Sequence, residues 1–153
     1  MTSNRTLTIA IWYLRFALGV GFLSAVADRF GFWGQNGAPL VAWGDWGHFC
    51  AYTAQINWFL PKALISATAW TATLAEAILG LALVLGCFLR PAALASAILL
   101  TLFAITMVSA IGIKAPLNYS VFSAAGGAML LGLILRQTPR GGEQPSTTKA
   151  AQL

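Results

Sequence analysis

Charge is what this sequence has least of. Only 8% of its 153 residues are Asp, Glu, Lys or Arg, whereas soluble domains carry about 25%. A soluble domain so poor in charge would leave large apolar patches in water and aggregate. That argues against a soluble enzyme or a soluble binding module. Cysteine is almost as scarce, with two residues, Cys50 and Cys87, and no CxxC pair. Thiol–disulfide exchange chemistry is therefore not expected. There is one histidine, His48, with only Asp45 near it at a ligand-like spacing, which is too few donors for a metal site. No Ser-His-Asp order, glycine-rich phosphate loop or CxxCH haem signature occurs. The net charge of +5 comes from scattered single Lys and Arg residues rather than a stripe, so nucleic-acid binding is not expected.

What the chain has instead is long apolar runs. A membrane-crossing helix needs about 20 mostly apolar residues. Residues 92–113 and 115–135 meet this without a charge; residues 64–88 meet it with Glu76 inside, and residues 7–27 with Arg15 inside. The sequence predicts an all-α fold, a bundle of four transmembrane helices over residues 1–136, followed by a disordered polar tail, 137–153. A leader peptide cleaved near Ala25–Ala27 fits poorly, because its charged lead would be long and largely apolar.

Between the first two spans lies a long connection, residues 30–62, crowded with Phe, Trp and Tyr and punctuated by glycines. Rings of this kind favour the headgroup level of a bilayer. The connection is thus predicted to be a long aromatic interfacial loop. Asp45 is placed to cap a short helix from Trp46 to about Asn57, with Trp46, Phe49, Cys50 and Thr53 on one face. That helix reads either as an interfacial anchor or as a lid over a ligand cavity.

Lys and Arg residues mark topology. With both termini cytoplasmic, Arg5, Arg90, Arg136, Arg140 and Lys149 fall inside, against Arg29, Lys62 and Lys114 outside. The expected location is the inner membrane, multi-pass. Cys50 and Cys87 then lie on opposite sides of a core about 30 Å thick, out of disulfide reach.

Chemistry concentrates in the charges that lipid would reject. A charge at mid-bilayer costs about 2.5–3.5 kcal/mol or more, and pairing Arg15 with Glu76 would reduce that cost. Counted along their spans, the two differ in depth by about 6 Å, which an arginine side chain covers. Gly19 and Gly80 would leave space beside them. Such a pair either fixes helix register or forms a polar site for a lipid-soluble ligand. Asp28 and Arg29, at the end of the first span, read as interfacial anchors. The candidate ligand-binding residues are Arg15 and Glu76, with Asp28, Arg29, Trp46 and His48 beside them.

The segment LRFALGVGFLSAVADRFG resembles the first-span signature of the DoxX family of small bacterial membrane proteins, through Arg15, Gly19, Phe22, Arg29 and Phe30. LAEAILGLALVLGCFLRPAALASAILL resembles the second signature, through Glu76, Gly80, Gly86, Arg90 and Ala93. The resemblance covers residues 14–131 and implies a four-helix membrane protein. Its relatives include the small subunit of a thiosulfate:quinone oxidoreductase and proteins of oxidative-stress or thiol defence. It therefore implies quinone as a cofactor, none of it covalently bound, and as partners the lipid bilayer, a redox protein and further copies of the chain. Three functions remain open: an accessory subunit of a redox or oxidative-stress complex, a quinone-binding oxidoreductase subunit, and a small-molecule or lipid transporter. The chain has no redox group beyond two separated thiols, so it is not expected to be catalytic alone.

Overall fold

The computed structural model describes residues 2–137, and every regular element among them is helical: α1 (Thr2–Arg29), α2 (Trp46–Ile56), α3 (Lys62–Leu85), α4 (Leu89–Ile111), α5 (Lys114–Asn118) and α6 (Val121–Gln137). Three helices are long and apolar enough to cross a membrane, spanning Arg5–Arg29, Lys62–Leu85 and Leu89–Ile111. Their outward faces carry large apolar side chains all round, among them Ile9, Ile78, Leu85, Ile98 and Ile105, a surface suited to lipid contact. The predicted tail beyond Gln137 lies outside the described residues.

The predicted fourth span is not one helix. Pro116, a residue that ends helices when it falls in their interior, sits inside the first turn of α5, where its missing N–H leaves no hydrogen bond unmade. The break falls at Tyr119–Ser120, where Ser120 adopts a φ of 55°. α6 then runs for 17 residues, about 26 Å. Pro91 likewise lies at the third position of α4, within the first turn, which needs no donor.

α1 packs along α3, and α4 along α6. The α1–α3 contact closes at two glycines. A Cβ on Gly19 would stand 3.0 Å from the Gly80 carbonyl oxygen, and a Cβ on Gly80 would stand 3.0 Å from that of Gly19. The backbones touch there, which only small residues permit. The sequence predicts that Gly19 and Gly80 leave room beside a charge; instead they bring the helices together. Between α4 and α6, Gly132 makes way for Leu94. At this level Leu18, Phe22, Leu83, Ala92, Ala93, Ala97, Ala128 and Leu131 form the buried core.

α2 forms as the sequence predicts. The Asp45 carboxylate accepts from the backbone N–H of His48 at 2.9 Å, capping the helix. Its buried side chains are Phe49, Thr53 and Ile56. Phe49 and Thr53 belong to the predicted face, Trp46 and Cys50 of that face are half-buried, and the helix brings the connection down onto the bundle instead of leaving it as a loop.

Candidate functional site

The last two residues of α1 are Asp28 and Arg29, and the connection folds over both. Asp28 is 6% and Arg29 2% exposed, so neither is the interfacial anchor their position at a span end suggests. Asp28 Oδ2 accepts from the backbone N–H groups of Ala42 and Trp43 at 2.9 and 3.2 Å, and Oδ1 from that of Gly44 at 3.3 Å. Three donors satisfy this carboxylate and pull residues 42–44 onto the end of α1. Gly44 has φ of 71°, and a Cβ there would collide with the backbone of Gln35 and Asn36. The turn therefore requires glycine.

Folded down in this way, the connection places Trp43 and Phe49 over Arg29. The guanidinium carbon lies 3.9 Å from the Phe49 ring centre and 5.3 Å from that of Trp43. Rings stacked on a dehydrated guanidinium stabilise it by about 2 kcal/mol. On its other side is α3. Arg29 Nη1 donates to Thr73 Oγ1 at 2.8 Å and Nη2 to Glu76 Oε2 at 2.6 Å. Thr73 donates in turn to the Ala69 carbonyl at 2.8 Å, which leaves its lone pairs to the arginine.

The partner of Glu76 is thus Arg29, not Arg15. Arg15 lies at the other end of the bundle, beside the carboxyl terminus of α3. Its Nε donates to the Leu83 carbonyl at 3.0 Å and its Nη2 to that of Val84 at 3.2 Å. These are among the last carbonyls of the helix, which have no intrahelical partner and carry its negative dipole end. Arg15 also stacks on Trp12, 4.2 Å from the ring centre. Its work is to cap α3. The sequence-based depth estimate failed because α1 begins at Thr2 and runs past the end of α3, which shifts the register between the two helices.

Of the other candidates, Trp46 begins α2, packs tilted against Trp70 at 4.3 Å and stacks on Phe30 at 5.8 Å between ring centres. It braces the connection against α3 and α1. His48 is exposed and pairs with Asp45, Nδ1 to Oδ2 at 2.7 Å. Neither lines the cavity beside Glu76. Cys50 and Cys87 are both free. Among the described residues no group of three or more His, Cys, Asp or Glu could hold a metal ion.

The cavity occupies about 1180 Å³ between the α1–α3 and α4–α6 pairs, beneath α2. Most of its wall is apolar, including Phe22, Ile56, Ala72, Leu99, Phe103 and Met107. Asp28, Arg29 and Glu76 form its charged end. Tyr52, Thr53, Asn57 and Tyr119 add polar atoms from α2 and from the α5–α6 junction. Burial, with Tyr119 nearby, pushes the Tyr52 hydroxyl above its ordinary pKa, so it stays protonated and can donate. Trp43, Phe49, Tyr52 and Thr73 were not singled out from the sequence as ligand-site residues, whereas Tyr119 reads there as a residue that could line a site and more simply as an interfacial one. Thr73 carried a readable signal, since it lies three positions before Glu76 and shares its helix face.

Comparison with protein-family models, curated proteins and solved structures found no match for the chain.

Proposed function

We propose that this chain is an integral membrane protein that binds a lipid-soluble molecule with a small polar head, a quinone-type ring being the first candidate. In this reading the head sits at Glu76 and the tail along the apolar wall. The observation that carries it is the cavity beside Glu76. A salt bridge that served only to fix register would be packed on all sides, whereas this one borders a space large enough for a drug-sized ligand. α2 then acts as a lid.

The resemblance to the DoxX family supports a role as an accessory subunit of a redox or oxidative-stress complex in the inner membrane. In that arrangement α5 and α6 together make a fourth crossing, both termini are cytoplasmic, and electrons come from a partner protein. A transporter is the weaker reading, because the buried core closes the bundle below the cavity.

The test is thermal unfolding of the detergent-purified chain with a decyl-tailed benzoquinone and with its hydroquinone. Binding to the folded state raises Tm in proportion to ligand excess. Ala72→Phe, which fills the cavity one turn before Glu76, should abolish the rise. Absence of any shift with either oxidation state would overturn the proposal.

A further inference from the structure

The charged end of the cavity discriminates between kinds of head group. Both oxygens of Asp28 are taken by backbone donors. Arg29 commits Nη1 to Thr73 and Nη2 to Glu76. Its remaining nitrogen Nε has no partner and is fully enclosed, so a ligand in the cavity does not reach it. Glu76 Oε2 holds Arg29, while Oε1 has no hydrogen bond to any described residue and is not among the fully enclosed unpartnered atoms. Glu76 is 3% exposed and lines the cavity. Glu76 Oε1 is therefore a charged acceptor open to a ligand in the cavity.

The charge balance agrees. Two carboxylates and one guanidinium leave the end of the cavity with one net negative charge, in surroundings where charge is poorly screened. An anionic head, such as a fatty-acid carboxylate or a phosphate, is repelled. A head that only accepts, such as a quinone carbonyl, meets the lone pairs of Oε1. A head that donates completes the set.

We infer that the cavity takes amphiphiles whose head donates a hydrogen bond to Glu76 Oε1, a hydroxyl or an ammonium on an apolar body, and rejects the same molecules once the donor is removed. Resting on the quinone-type reading above, this makes the site selective for the reduced, hydroquinone form. No bond is made or broken; selection is by hydrogen bonding alone. Removing a donor to a charged, desolvated acceptor costs about tenfold or more in affinity.

The experiment needs no variant. Quenching of tryptophan fluorescence in the detergent-purified full chain measures Kd for matched pairs: decyl-hydroquinone against decyl-benzoquinone, 4-decylphenol against its methyl ether, and decylammonium against decanoate. The donor member of each pair should bind at least tenfold tighter. Equal affinities within the pairs would overturn the inference while leaving cavity binding intact; no binding by any probe would overturn both. Glu76→Gln, compared at equal folded fraction, should shrink the gap within the pairs, since the amide offers donors of its own.

Discussion

Arg29 and Glu76, 47 positions apart in the chain, meet at 2.6 Å with each side chain 3% exposed. Removing one member strands the other charge in a dry interior, which costs about 3–5 kcal/mol. Glu76→Gln and Arg29→Met should each lower stability by about that amount. The double replacement should recover part of the loss, because no unpaired charge remains. A double-mutant cycle by denaturant unfolding checks this, and additive losses would show that the two do not interact.

Arg15 should behave differently. Arg15→Met loses two hydrogen bonds to the terminal carbonyls of α3 and the stack on Trp12, a loss of about 2 kcal/mol. Combined with Glu76→Gln its effect should be additive. Coupling in that cycle, measured by the same unfolding assay, would return Arg15 to the Glu76 site. Arg15→Lys should recover only part, since an ammonium cannot span two carbonyls from one plane.

Gly80→Ala is small chemically but puts a methyl group 3.0 Å from the Gly19 carbonyl and from Leu23. The helices must separate, at about 1–3 kcal/mol. Gly126, where a Cβ would meet nothing within 4 Å, is the control: Gly126→Ala should be neutral or slightly stabilising. Comparable losses at both positions would contradict the close approach of α1 and α3.

The cap of α2 gives a pH dependence. Hydrogen bonds from the backbone and side chain of His48 hold the Asp45 carboxyl below its ordinary pKa. A carboxylate lowered by folding stabilises the fold above its unfolded pKa of about 3.9 and loses that contribution as pH falls through the folded value. The first turn of α2 should therefore open on acidification below about pH 4. Hydrogen exchange at the His48 amide, compared with Asp45→Asn at each pH, checks it: wild type and variant should converge in acid.

Much of the fold was legible because helices announce themselves locally. The three long spans follow from apolar runs, and α2 follows from Asp45 and the spacing of Phe49 and Thr53. Glu76 stood out because a carboxylate in an apolar run has few explanations. Its partner did not, since periodicity gives the face of a helix but not which residue of another helix arrives opposite. Arg29 read as a surface charge because its burial depends on residues 42–49 folding back over it, and that fold rests on Asp28 binding backbone donors 14 to 16 positions later. The interruption before α6 was legible only in part: Pro116 marks a turn at residues 114–118, but those residues form α5 and the chain turns at Ser120, whose positive φ serine seldom adopts.

The side chains of Leu18, Phe22, Leu83, Ala93 and Leu131 meet below the cavity and leave it a floor. The molecule is accordingly a cup, not a tube. A molecule seated beside Glu76 has no path onward through that core, unless the two glycines that hold α1 against α3 come apart.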